Sequence, residues 1–484
     1  LGKSISITPF SRVEGDLRIK IDIEDNLVKD ARASGVMYRG FEKILKGHFP
    51  EDALVYTPRI CGICCISHSI ASASALGAIS EEFTPSRSGQ IAKNISHATE
   101  NAMSHITQFY LYFLPDLTDD RFADFSFHKD IKSRFSTMTG SSTIRVMEER
   151  KKFLEILGYI IGKWPHTLAI HPGGITKSLD SSDIYHINGA LLRFIRFIES
   201  VLIGMPLKEY LNIKDSSSFD AVFSGKGSEI SDLGLFYIFA KERGLMELGK
   251  GPGRFLSGGA YLQPEGGHLF RPGYWNNGLS DLEPDAITES ISYSYFNYAK
   301  EVSNPFDDYS EPSAKKESAY SWAKAPRYRK SVVEVGAIAR QVISGDPLVM
   351  DFYQTYGSTV FTRVFARVHE AMKLLSVMRE WISWLDHQEK YYVKTTLKKD
   401  ARGAGITEAA RGFLGHWIVV ESGKIMNYQV ITPTAFNCSP RDESGTPGPI
   451  EQAVAGTRIE SEENPIEVDL ILRSFDPCLV CTVH

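Results

Sequence analysis

The sequence predicts an α+β chain that is mainly helical, and two patterns carry the prediction. Near the start, "DLRIKIDIED" alternates Leu17, Ile19, Ile21 and Ile23 with polar residues, the period of two that half-buries a strand, and "EDN" is a natural turn into a second strand. Farther along, "STVFTRVFARVHEAMKLLSVMREWISWLD" repeats Phe361, Val364, Val368, Met372, Leu375, Ile382 and Leu385 at intervals of a helical turn, which predicts one long helix with a broad apolar stripe. Similar stripes run through residues 88–114, 149–163 and 183–203. Stretches rich in glycine and proline, "IHPGGITKS", "GKGPGRFLSGGAYLQPEGG" and "CSPRDESGTPGPI", read as loops between them. No repeat, low-complexity tract or long linker marks a boundary. The chain is therefore read as a single domain over 1–484, with a β-rich part at 1–58, a mainly helical body at 59–410 and a C-terminal part at 411–484.

Composition narrows the function classes. At 484 residues, 43% hydrophobic and 23% charged, the chain can bury a large core. A net charge of −5 gives no broad basic field, which argues against nucleic acid or an anionic membrane surface as the main partner. No run reaches the roughly 18 to 20 apolar residues that span a bilayer, and the start, "LGKSISITPF", lacks the basic and apolar regions of a signal peptide.

Six cysteines are too few for a disulfide scaffold in a chain of this length. Four form two Cys-x-x-Cys pairs: Cys61 and Cys64 in "RICGICCISH", and Cys478 and Cys481 in "DPCLVCTVH". Two such pairs supply four thiolates, a sufficient set for a soft or borderline metal. A zinc module closes its site locally, with its second pair about 15 to 20 residues after the first; here nearly the whole chain lies between. Spacing alone leaves structural zinc, a catalytic or electron-transfer metal, and unligated core cysteines open.

The flanking residues go further. "RICGICCISH" and "DPCLVCTVH" resemble the two signature motifs of the nickel-iron hydrogenase large subunit. The resemblance continues through "SRVEGDLRI", "YRGFEKILKG", "KAPRYRKSVVEVGAIAR", "EAARGFLGHW" and "NYQVITPTAFNCSPRD", in the family's order and over nearly the whole chain. It implies that family's fold, a central bundle of long helices with small peripheral β-sheets near the N-terminus. It also implies reversible cleavage of dihydrogen into two protons and two electrons at a nickel-iron centre whose iron carries carbon monoxide and cyanide.

Carried over by residue, the resemblance makes Cys61 and Cys478 terminal nickel ligands and Cys64 and Cys481 the bridges to iron. Cys478 becomes the first candidate for the base that takes a proton in heterolytic cleavage, and Glu14 the carboxylate that passes it on. Without the motif, Glu14 reads as a solvated carboxylate at a strand end. Arg411 matches a guanidinium over the centre, Asp476 the carboxylate that holds it, and Thr434 a hydroxyl that hydrogen-bonds a cyanide. Read alone, Arg411 is a surface arginine and Asp476 a turn-former before Pro477. His68 matches a histidine beside the bridging thiolate. Glu42, His484 and a backbone carbonyl around Val430 match a magnesium or iron site near the C-terminus. Cys65 and Cys438 fit no ligand role and read as small buried residues. The sequence stops at the histidine after which family precursors are clipped, as expected of a mature form or of a lineage made without the extension.

The departures from the commonest pattern are Ala410, where many membrane-bound uptake enzymes have proline, and Ser104, where some have a carboxylate. With "MYRGFE" and "DALVYTPRICGIC", they point to the cytoplasmic uptake and hydrogen-sensing branch. Sensors often carry glutamine at the His68 position, so His68 favours an enzyme over a regulatory sensor of slow turnover. After four cysteines are used at the centre, this chain cannot hold a relay of iron-sulfur clusters. The expected partner is therefore an iron-sulfur small subunit, with higher oligomers of that heterodimer left open. The expected location is cytoplasmic, or at the cytoplasmic membrane through partner subunits. A quinone-reductase core subunit of the complex I type shares the ancestry but lacks the metal, and retention of all four cysteines argues against it.

Overall fold

A computed structural model describes residues 2–225 and 230–484. The first 35 residues form the expected antiparallel sheet, with strands Lys3–Ile7, Leu17–Glu24 and Leu27–Gly35 in sequence order. Leu17, Ile19, Ile21 and Ile23 are all buried, as their alternation requires. Glu24 pairs with Leu27 across a two-residue turn, and Asp25 and Asn26 take φ of 52° and 57°. Positive φ at both central positions matches the twist of the two strands, and asparagine and aspartate tolerate it better than most residues.

Two long helices, Arg87–Thr107 and Val360–Ser383, cross the middle of the molecule in contact. The first starts at Ser86, whose hydroxyl accepts the Gly89 amide. The second starts at Thr359 and Thr362, which cap each other reciprocally. Its predicted stripe is buried, but so are Arg363, Arg367, His369 and Glu370 on its other sides. From Val360 to Met372 the helix is enclosed all round, which a stripe-and-solvent picture does not anticipate, while Arg379, Glu380 and Ser383 near its end face out. Its charges are tolerated because they are paired: Arg363 Nε donates to Glu334 at 2.8 Å and Arg340 Nη2 to Glu370 at 2.7 Å. The stripe at 88–114 ends in a wider π-helical turn, Gln108–Phe113, and that at 183–203 in Ile198–Leu202.

Sheets also occur inside the stretch read as mainly helical. Phe255–Leu262 pairs with His268–Trp275, and a second small sheet joins Ile287–Ser290 to Ala325–Tyr328. Phe255–Leu262 falls within a stretch that reads as a loop because its glycines break any alternation. Seven of its eight residues are buried on both faces, and a Cβ on Gly258 would lie 2.5 Å from Ile406. Close packing, rather than turning, explains that glycine.

A three-stranded antiparallel sheet, Ala401–Ala409, Gly412–Glu421 and Lys424–Ile431, closes the C-terminal part. It lies on the helix Cys65–Ala78, whose small residues let the backbones approach: a Cβ on Gly405 would sit 2.0 Å from the Ala71 carbonyl. The two chain ends interlock nearby. Leu479 N–H donates to the Glu14 carbonyl at 2.6 Å, and Gly40 N–H donates to the His484 carbonyl at 2.9 Å. Among the described residues no helix is long and apolar enough to cross a membrane.

Candidate metal centre

The interlocked ends bring the two Cys-x-x-Cys pairs together. Cys64 caps the helix Cys65–Ala78, and Cys478 leads into the last helical turn, Leu479–Thr482. The Sγ atoms of Cys61 and Cys478 are 3.7 Å apart, those of Cys64 and Cys481 3.2 Å, and those of Cys478 and Cys481 3.1 Å. These separations are far longer than the ~2.05 Å of a disulfide, and all six cysteines are free and buried.

Such packing strains the protonation of bare thiols. Hydrogen bonds from Cys478, Cys481 and Cys64 pull Cys61 well below the usual thiol range. The same crowding, led by Cys478, pushes Cys64 up, and burial together with Cys478 pushes Cys481 up. One negative charge settles easily among the four and further ones are resisted. A soft or borderline cation removes that resistance, so the donor set fits a thiolate-bound metal. The geometry also groups Cys64, Cys481 and His68 within 4.8 Å.

Arg411 stands at the tip of the tight turn between Ala409 and Gly412. Its Nε donates to the Asp476 carbonyl at 2.8 Å and its Nη2 to Asp476 Oδ1 at 3.0 Å. Burial opposes the guanidinium charge, but Asp476, Cys478, Cys64 and Cys61 outweigh it and hold the charge firmly in place. Nη1 is buried and has no partner among the described residues. A buried cationic donor left free beside four sulfurs is a ready partner for an anionic ligand there. Asp476, at φ 54°, also faces Arg367 at 3.6 Å.

Thr434 Oγ1 accepts the Cys478 amide at 3.0 Å, which leaves its own proton to donate. Glu14 is half-buried, in a parallel bridge with Cys478, and its Oε1 accepts the Tyr112 hydroxyl at 3.0 Å. It is not the solvated strand-end carboxylate of the plainer reading.

His68 continues into a buried chain. Its Nδ1 lies 3.1 Å from His416 Nε2, His416 Nδ1 lies 2.8 Å from the Tyr428 hydroxyl, and Tyr428 reaches Ser72 at 3.3 Å. Burial lowers His68 to about 3 and His416 also falls well below its usual value, so both rings are neutral. Each then carries a single proton, and turning one tautomer turns the other. Cys65 is held by Glu100 and by the His166 amide, and burial pushes both Cys65 and Cys438 up, as suits inert buried thiols.

The last residue meets Glu42 beneath this cluster. His484 Nε2 is 3.3 Å from Glu42 Oε1, and its Nδ1 contacts the Cys481 carbonyl. Val430 reaches the group through its amide, which donates to Glu42 at 2.9 Å, while its side of the strand lines a cavity of about 20 Å³ shared with Glu42, Glu289, Lys324 and His484. Burial would raise Glu42, but Lys324 and His484 hold it down to about 2. Glu289 is pushed up to about 8 by burial, with Asp308 and Glu42 adding to the effect, and its Oε2 has no hydrogen-bond partner among the described residues, standing 3.8 Å from Lys324 Nζ. Three carboxylates around one lysine, with an orphaned oxygen, fit a hard divalent cation.

The arrangement unites all the sequence-predicted residues in two adjoining clusters. Tyr112, Arg367, His416, Tyr428, Lys324 and Glu289 were not anticipated. Lys324 and His416 lie inside "KAPRYRKSVVEVGAIAR" and "EAARGFLGHW", but no local pattern assigns them a role.

A thiolate metal centre built from both chain ends and roofed by a buried arginine is the fold and site of a nickel-dependent hydrogenase. The family's profile matches residues 39–123 and 126–484, and the chain belongs to that family as a hydrogenase large, catalytic subunit. Among named relatives, the periplasmic [NiFeSe] hydrogenase large subunit of Desulfomicrobium baculatum is 28% identical, covering 99% of this chain and 94% of its own length. The hydrogenase-1 large chain of Escherichia coli (strain K12) is also 28% identical, covering 100% of this chain and 95% of its own. The solved Ni-Fe-Se hydrogenase of D. vulgaris Hildenborough in its reduced state superposes with a TM-score of 0.88 at 28% identity, over the full length of both chains. Selenium appears in two of these names; all four sulfur positions of the present cluster are cysteine.

Proposed function

We propose that Cys61, Cys64, Cys478 and Cys481 hold a nickel-iron centre, with carbon monoxide and cyanide on iron, and that the chain catalyses reversible heterolytic cleavage of dihydrogen. The observation that carries this reading is the convergence of four buried thiols from opposite chain ends beneath a buried arginine. When bound, the centre supplies the soft Lewis acid and the electron sink that dihydrogen cleavage requires.

The chain's own residues do the rest. The Cys478 sulfur takes the proton, since a thiolate is basic enough to accept it and acidic enough to release it. Glu14, locked beside Cys478 by the backbone bridge, receives that proton, and the Tyr112 hydroxyl fixes which carboxylate oxygen remains free. Arg411 Nη1 and the Thr434 hydroxyl donate to anionic ligands in the pocket, cyanide nitrogen among them. Asp476 and the Arg367 pair keep Arg411 from swinging away. His68 faces the bridging sulfurs in a tautomer set by His416 and Tyr428. Glu42 and His484 hold magnesium or iron, which ties the C-terminus to the centre.

Electrons leave through a small subunit carrying iron-sulfur clusters, the partner that a large subunit implies. We place the protein with the cytoplasmic uptake and hydrogen-sensing branch, which Ala410 and Ser104 support, and His68 favours turnover over sensing.

Infrared spectroscopy under dihydrogen and under inert gas, with nickel and iron quantification, tests the proposal. The expected result is a set of carbon monoxide and cyanide bands that shift with dihydrogen. Zinc in place of nickel and iron, with no such bands, overturns it.

A further inference from the structure

Between the helices Arg87–Thr107 and Cys65–Ala78 and the strand Ala401–Ala409 lies a cavity of about 130 Å³, apart from both metal clusters. Its lining includes Lys93, His268, Ser74 and Thr407, and no aspartate or glutamate among the described residues. Lys93 is only 6% exposed, and its Nζ finds two backbone carbonyls, of His171 at 3.4 Å and Pro172 at 3.3 Å. Both contacts are longer than a good N–H to oxygen bond. No carboxylate lies within ion-pair distance of it among the described residues.

Buried charges in proteins are almost always paired, because an isolated ammonium loses its hydration without compensation. Among the described residues every other buried lysine or arginine obeys the rule: Arg327, Arg340, Arg363, Arg367, Arg411, Arg473 and Lys324 each face a carboxylate. Lys93 alone among these opens instead on a space. Burial with no opposing negative neighbour lowers it to about 8, so it stays largely protonated near neutral pH. The third ammonium proton and the hydroxyls of Ser74 and Thr407 make no bond to the protein among the described residues. His268 stands at the exposed rim.

We infer that this cavity binds a small oxyanion, a carboxylate or phosphate, as counter-ion to Lys93. The cavity also borders the catalytic scaffold. His97, in its wall, lies 3.2 Å from the Ser67 hydroxyl, on the helix Cys65–Ala78 that Cys64 caps, and Ser67 donates to Glu100 at 2.9 Å. An anion here therefore braces the element that presents the first cysteine pair.

The test uses the purified holoenzyme with its partner subunit. Its thermal midpoint is followed against acetate and against inorganic phosphate, with chloride as control at constant ionic strength. The midpoint is expected to rise with the logarithm of acetate or phosphate concentration and to ignore chloride. Lys93→Met should abolish the rise and Lys93→Arg should keep it. Should Lys93→Met fail to assemble, Thr407→Val is the second variant, expected to weaken the anion about tenfold through one lost hydrogen bond. An X-ray structure of crystals soaked in arsenate, a tetrahedral oxyanion shaped like phosphate, should show anomalous density beside Lys93 Nζ. A midpoint indifferent to both anions, an equal response in wild type and Lys93→Met, or arsenic found only elsewhere overturns the inference.

Discussion

Glu14→Gln removes a titratable carboxyl while keeping its shape, and the structure sets how large the effect should be. The backbone bridge to Cys478 and the Tyr112 hydrogen bond at 3.0 Å both tolerate an amide, because the amide oxygen accepts from tyrosine as the carboxylate does. The centre should therefore assemble normally. What is lost is the carboxyl whose backbone bridges to Cys478, and a positioned proton acceptor contributes about 100- to 10,000-fold to a rate, or about 3 to 5 kcal/mol of barrier. Glu14→Asp offers an internal scale. Shortening the side chain by one methylene retracts the carboxylate about 1.5 Å, which breaks contact with Tyr112 while keeping a titratable group, so its loss should fall between wild type and Gln. The assay is dihydrogen turnover together with proton-deuterium exchange, with infrared bands to verify the centre. Exchange within twofold of wild type in a fully metallated Glu14→Gln enzyme would refute the assignment.

Other perturbations follow from the same geometry. Asp476→Asn leaves Arg411 and Arg367 as adjacent buried cations with one partner removed, so the denaturation midpoint should fall by the equivalent of about 3 to 5 kcal/mol; a change under about 1 kcal/mol would show that the pair holds nothing. Tyr428→Phe strips His416 Nδ1 of its partner and should cost about 1 to 3 kcal/mol while moving the infrared bands through His68; unmoved bands would detach the chain from the centre. Glu451, buried against the Ala33 amide and the Tyr320 hydroxyl, is raised by burial to about 7. A raised carboxyl stabilises fully below its unfolded value and loses that contribution as pH climbs through 7, so wild type should lose up to about 3 kcal/mol between pH 4.5 and 8 that Glu451→Gln does not; parallel pH profiles of the two proteins would contradict this.

Legibility in the sequence divides along physical lines. The hairpin at Asp25 and Asn26 and the long helix at 360–383 were readable because their signals are local: alternation, turn chemistry and a periodic stripe. The strand Phe255–Leu262 was hidden because burial on both faces erases alternation, and its glycines answer to Ile406, a residue far along the chain. Nothing in the apolar stripe of this helix shows that Arg363, Arg367 and Glu370 meet Glu334, Asp476 and Arg340, which come from elements remote in sequence. Glu14 and Cys478 share a motif only by resemblance; their contact is a backbone bridge between the two ends of the chain.

By itself the sequence determined the chemistry available: four thiols in two spaced pairs, a terminal histidine, and the motif blocks that place the chain among hydrogenases. Residue type dictates ligand softness, charge and titration, and none of these needs a fold to be known. Only the tertiary structure decided which groups meet. It linked the four sulfurs through contacts of 3.1 to 3.7 Å, gave Arg411 a carboxylate and a free donor, joined His68 to His416 and Tyr428, and enclosed Lys93 without a carboxylate. Long-range encounters of this kind depend on packing of the whole core, in which each contact is set by elements remote in sequence, and it is that packing which turns scattered residues into a site.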